Sequence, residues 1–136
     1  MKKPLFIFCF ICSSLFLFAQ SSGDAALSLI PQPVSIVQTK GSLVLPHQLS
    51  IYTDNNAEVN RIANSLSLQL ASNFYKVKVV PDKKPLAKAI HLYLVSDKSI
   101  PADGYRLKIS ATGVSLSANS PSGIFYGVQT LLQLFP

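Results

Sequence analysis

The stretch that most constrains the fold is Asn119-Ser-Pro-Ser-Gly-Ile-Phe-Tyr-Gly-Val-Gln-Thr-Leu-Leu-Gln-Leu-Phe-Pro136. It reads as one helix with both ends marked. Ser120 is a natural N-cap whose hydroxyl can accept from an orphan backbone N–H, and Pro121 suits the first helical position, where no donor is needed. Pro136 stands where a helix can no longer continue. Ile124, Phe125, Val128, Leu131, Leu132 and Phe135 recur at helical spacing and predict the face turned to the core. A second stripe, Gly123, Gly127, Thr130 and Leu134, runs beside it. Two glycines disfavour a helix interior by roughly 1 kcal/mol each against alanine, so a closely approaching neighbour should offset them. The expected neighbour is a second helix on the same sheet face. Tyr126, Gln129 and Gln133 are then left pointing away from the sheet.

At the other end, Met1 to Ala19 has the form of a leader rather than of a folded element. Lys2 and Lys3 precede an apolar run from Pro4 to Phe18, and Leu17 and Ala19 fit a signal-peptidase site. The run is shorter than the roughly 20 residues a membrane-crossing helix needs. The expectation is an exported bacterial protein, periplasmic or secreted, cut after Ala19 and without a membrane segment thereafter. Both cysteines, Cys9 and Cys12, lie in the leader. The mature chain would therefore lack any disulfide, thiolate nucleophile or Cys-ligated metal.

Removing the leader leaves 117 of the 136 residues, enough for one domain and not for two. Ten basic and six acidic residues remain, a formal charge of +4. Lys76, Lys78, Lys83, Lys84 and Lys88 cluster, but no arginine or aromatic interleaves them as in a nucleic-acid surface. They read as a solvated strand face and loop.

Residues 20–28 form a small, polar, flexible lead, and the ordered part is expected over 29–136. Val34 to Thr39 and Ser42 to Leu45 flank Lys40-Gly41 and predict a hairpin. Gln48 to Thr53 is a short strand. Asn55 with Glu58 has capping-box spacing for a helix running to about Phe74. Its core stripe is Val59, Ile62, Ala63, Leu66, Leu70 and Phe74, with Arg61, Asn64 and Leu68 opposite. Val77 to Val80 and Ala89 to Val95 are further strands. Tyr105 to Ser110 and Gly113 to Ala118 alternate cleanly between apolar and polar, as half-buried strands do. Six or seven strands and two helices predict an α+β two-layer sandwich, a mostly antiparallel, mixed sheet with both helices on one face.

No constellation of chemistry-bearing residues emerges. Asp24, Asp54, Glu58, Asp82, Asp97 and Asp103 all fall in a tail, turns or helix caps. No two are placed as an acid–base or acid–nucleophile pair. His47 and His91 lack partners at metal-ligand spacing. The serines sit in no nucleophile-elbow pattern, and Gly123 and Gly127 in no phosphate loop. Tyr52, Tyr75 and Tyr93 could stack on sugar rings but read better as core-edge or surface aromatics. The residues thus predict no catalytic, cofactor-binding or metal site.

The ending from Ser117 to Pro136 closely resembles the end of the N-terminal domain of glycoside hydrolase family 20, the β-N-acetylhexosaminidases. Leu29-Ile-Pro-Gln-Pro-Val34 with Leu43-Val-Leu-Pro46 is similar to its start, and Gly104-Tyr-Arg-Leu-Lys-Ile109 with Gly113-Val-Ser-Leu116 to its last hairpin. The resemblance covers about residues 29–136. It implies a sheet with two helices on one face, preceding a catalytic (β/α)₈ barrel that hydrolyses terminal N-acetylhexosamine from glycans. In that barrel an adjacent Asp-Glu pair supplies the general acid (Glu) and the residue orienting the substrate's acetamido group (Asp). No Asp-Glu dipeptide occurs here, nor any tryptophan, so no catalytic residue carries over. The resemblance implies a non-catalytic scaffold that would meet a barrel C-terminal to Pro136 through Tyr126, Gln129 and Gln133. Glycan would be reached only through that barrel, with no cofactor. Two alternatives stand beside it. One is a self-sufficient carbohydrate- or protein-interaction module. The other is the equivalent domain of a family 84-like or α-glucuronidase-type glycosidase.

Overall fold

The structure, a computed structural model, describes residues 28–72, 76–81 and 84–135. The expected leader and most of the expected lead, Phe74 and Tyr75, the break expected at Asp82-Lys83, and Pro136 lie outside them. The element order is β1 (Gln48–Thr53), α1 (Ala57–Ala71), β2 (Lys76–Val80), β3 (Ala89–Leu94), β4 (Tyr105–Ser110), β5 (Gly113–Ala118) and α2 (Pro121–Gln133). The five strands form one mixed sheet in the order β2-β1-β3-β5-β4. β1 pairs parallel with β2 and with β3, and β3 parallel with β5. Only β4 and β5 are antiparallel.

The α+β expectation holds, with two departures inside it. The sheet is predominantly parallel, because β1–α1–β2 is a crossover unit and β5 joins β3 rather than reversing against it. The hairpin expected over Val34–Leu45 is absent: residues 31–46 belong to no strand. Alternating apolar residues make a strand only where a ladder partner is on offer. Here Leu43 and Leu45 pack against the core side while Val34, Val37 and Val44 stay in solvent.

The two helices are set by their caps. The Asn56 side chain accepts from Glu58 N at 3.0 Å and Val59 N at 3.2 Å, starting α1 one residue later than the capping-box spacing places it. Asn55 instead makes the turn in the left-handed region, φ 64°, which asparagine tolerates better than most residues. Ser120 caps α2 as the sequence predicts, accepting from Gly123 N at 3.3 Å, with Pro121 in the first turn.

Strand register builds the core in rows. Val79, Ile51, Ile90, Val114 and Ile109 align across the sheet, and Thr53, Leu92, Leu116 and Leu107 align in the next row. Over them lie Val59, Ala63, Leu66 and Leu70 of α1 and Ile124, Val128 and Leu131 of α2, in one hydrophobic cluster. Fully burying each such aliphatic side chain contributes about 1.5–3 kcal/mol. The opposite sheet face carries the row Val80, Tyr52, His91, Ser115, Lys108.

α2 is rotated about its axis from the orientation the sequence predicts. Its buried residues are Gly123, Ile124, Gly127, Val128, Thr130 and Leu131, while Phe125 is 47% exposed. The glycine stripe faces the sheet, not α1. A Cβ on Gly123 would overlap the Gly104 carbonyl oxygen and lie 2.7 Å from Ala118 Cβ, and one on Gly127 would overlap the Leu116 side chain. Lacking Cβ atoms, the two glycines let the helix backbone settle directly onto β5. The bulk of Phe125 under the helix would hold it away. Thr130 completes the stripe by bonding the Tyr105 hydroxyl at 2.6 Å.

Candidate functional site

The described carboxylates are all committed to local structure. Asp54 accepts from Leu94 N at 2.9 Å and from Asn56 N at 3.4 Å, tying the β1–α1 turn to the end of β3. Glu58 pairs with Arg61 on exposed α1 at 2.7 Å. Asp97 accepts from Ser99 N and Oγ and from Arg106 Nη1 at 3.0 Å. The Ser99 hydroxyl and N–H, then the Arg106 guanidinium, hold its carboxyl below the usual carboxylate range. Asp103 accepts from Ser122 Oγ at 2.6 Å beside the α2 N-terminus. Asp24 and Asp82 lie outside the described residues.

The histidines lie apart. His47 is exposed in the loop before β1, where its carbonyl accepts from Lys76 N at 3.1 Å. His91 is half-buried on the open sheet face, its ring stacked on Tyr93 at 4.4 Å. Burial pushes its imidazole below the ordinary value, against an opposing pull from Asp54, and Nε2 has no hydrogen-bond partner. Among the described residues no group of three or more His, Cys, Asp or Glu could hold a metal ion. No helix among them is long and apolar enough to cross a membrane.

Concave regions lie on both sides of the sheet among the described residues. A cleft of about 320 Å³ on the open sheet face is lined by His91, Lys108, Ser110 and Ser115 with Pro85 and Leu86. A groove of about 240 Å³ runs between the helices, walled by Arg61, Ile62, Ser65 and Gln69 of α1 and by Phe125, Val128 and Gln129 of α2. Beside the groove Tyr126, 52% exposed, meets Phe125 edge to face at 5.8 Å, and Leu68 of α1 is also exposed. The outer helical surface thus carries three large exposed apolar or aromatic side chains, Leu68, Phe125 and Tyr126, among polar residues such as Arg61, Ser65 and Gln69. Of the residues expected to face outward, Tyr126 is exposed and Gln129 partly so. Gln133 is exposed too, but its amide is taken by the Ile30 backbone and the Gln129 carbonyl. Phe125 is the outer-face residue that hydrophobic periodicity assigns to the core. The neighbouring glycine stripe is the signal that places it outside.

The family model for glycosyl hydrolase family 20, domain 2, matches residues 26–136. The chain belongs to glycosyl hydrolase family 20. It is 30% identical over 146 aligned residues to a β-hexosaminidase of Porphyromonas gingivalis, covering 100% of this chain and 18% of that protein. Among solved structures it is similar to the family 20 β-N-acetylhexosaminidase of Streptomyces coelicolor, with a TM-score of 0.68 and 26% identity. That match covers 79% of this chain and 21% of the other. The β-hexosaminidase of Streptomyces plicatus matches with a TM-score of 0.56 and 31% identity, over 64% of this chain and 17% of that one. The family 20 chain thus spans less than a fifth of the curated relative it matches.

Proposed function

We propose that this chain is the non-catalytic, N-terminal scaffold domain of an exported β-N-acetylhexosaminidase. The whole enzyme would remove terminal N-acetylhexosamine from glycans. The observation that carries the reading is the match of residues 26–136 to domain 2 of the family, together with a relative more than five times as long as this chain. The outer helical face, with Phe125, Tyr126 and Gln129 around the inter-helix groove, is the surface offered to a catalytic barrel following α2. Exposed aromatics of this kind are what interface cores are enriched in. The Lys2-Lys3 leader with its Leu17 and Ala19 site supports export, with Gln20 as the mature terminus.

Two proteins test this with a chromogenic N-acetylglucosaminide. One is the purified chain, and the other is a hybrid in which residues 26–136 replace the matched segment of the Porphyromonas gingivalis relative. The chain alone should give the buffer rate and the hybrid should turn over substrate. Turnover by the chain alone, surviving repurification and lost on one substitution within it, would contradict the scaffold reading.

A further inference from the structure

The first described residues carry a contact that neither the core nor the outer helical face explains. Ile30 N donates to Gln133 Oε1 at 2.9 Å, and Gln133 Nε2 donates back to Ile30 O at 2.8 Å. This two-bond clasp joins residues 103 apart and pins the start of the domain to the last turn of α2, with Leu29 buried beside it. Beyond the clasp the chain runs without a ladder, and its apolar side chains face solvent. Ile30 is 80% exposed, Val37 83%, Val34 fully so, and Ile36 41%. Apolar side chains scattered singly over a surface call for no explanation, but four exposed within eight consecutive residues are more than scatter.

The location of these residues identifies the occupant. Gln133 is the last residue of α2, so polypeptide continuing beyond the helix emerges beside Ile30. In the Porphyromonas gingivalis relative the matched segment is 18% of the protein, which leaves a large body of chain to be placed. We propose that residues 30–37 are a strap covered by the domain that follows α2, a second seat distinct from Phe125 and Tyr126. The proposal rests on the scaffold reading above. Gln133 serves it by holding the strap against the exit point of the chain rather than by touching the following domain.

Cysteine protection tests it in the whole chain and in the active hybrid described above. Val34→Cys, Tyr126→Cys and Leu86→Cys are labelled with a maleimide and read at the peptide that carries each one. Leu86, exposed in the loop before β3, marks the unprotected rate. In the whole chain all three should label at similar rates. In the hybrid Val34→Cys should slow by roughly tenfold or more while Leu86→Cys stays fast. Should Val34→Cys label as fast as Leu86→Cys while Tyr126→Cys is protected, the strap is wrong and the scaffold reading stands. Should all three label equally fast in an active hybrid, both the strap and docking through the outer helical face are overturned.

Discussion

Gly123→Ala is the substitution on which propensity and packing disagree most. In a helix interior the change favours folding by about 1 kcal/mol, since alanine loses less backbone entropy. Here the new methyl would overlap the Gly104 carbonyl oxygen and sit 2.7 Å from Ala118 Cβ. Neither neighbour can swing aside. Ala118 is fully buried at the end of β5, and Gly104 is held by its own N–H to Pro101 O at 2.9 Å in the turn before β4. Overpacking of this kind destabilises by about 1–3 kcal/mol, and rigid obstacles put it at the upper end. Gly123 also lies in the first turn, where the propensity gain is weakest. The net expectation is a loss of about 2–3 kcal/mol, a fall in Tm of roughly 10 °C or more for a domain of this size. Urea denaturation should show a lower midpoint at unchanged slope. Gly127→Ala should be milder, because its obstacle is the far end of the Leu116 side chain. A Gly123→Ala chain as stable as the parent would refute the close seating of α2 on β5.

Phe125→Ala should change the stability of the 136-residue chain by less than about 1 kcal/mol, whereas Leu131→Ala, fully buried, should lower it by about 2–5 kcal/mol in the same titration. Equal losses would return Phe125 to the core. His91, its folded pKa depressed by burial, binds its proton more readily unfolded. Its contribution is fully present above the unfolded value near 6.5 and is lost as pH falls toward the folded value. Stability should therefore drop below neutrality, and His91→Gln should flatten that part of the profile. A pH dependence identical in the variant would remove His91 as its source. Mass spectrometry of the exported product should find Gln20 as the first residue, and intact Met1 in the membrane fraction would point to a retained anchor.

Much of the fold is legible in the residues because local signals and tertiary needs agree there. Ser120-Pro121 starts α2, and the alternation in Tyr105–Ser110 and Gly113–Ala118 marks two strands that do pair with each other. The readings depart where a non-local partner decides. Strand direction is one case: nothing in Gln48–Thr53 or Ala89–Leu94 says that they run parallel to each other. The segment around Val34 is another, since its alternation is strand-like but no sheet edge receives it. The orientation of α2 is the third. Counting apolar residues gives Phe125 to the core, while the backbone approach that Gly123 and Gly127 permit turns it outward. The family motif was readable in the same terminal stretch. The outer helical surface could be read only in part, because the Gln133 clasp on Ile30 depends on two ends of the chain meeting.

The scaffold claim is tested most directly by the half-life of β-hexosaminidase activity at elevated temperature. The comparison is between the Porphyromonas gingivalis relative with its matched segment deleted and the same protein with residues 26–136 in that place. The domain should restore a substantial part of the lost half-life, and Tyr126→Asp should remove that gain without unfolding the domain itself. A half-life no longer than that of the deleted protein, with the domain shown to be folded, would contradict the account.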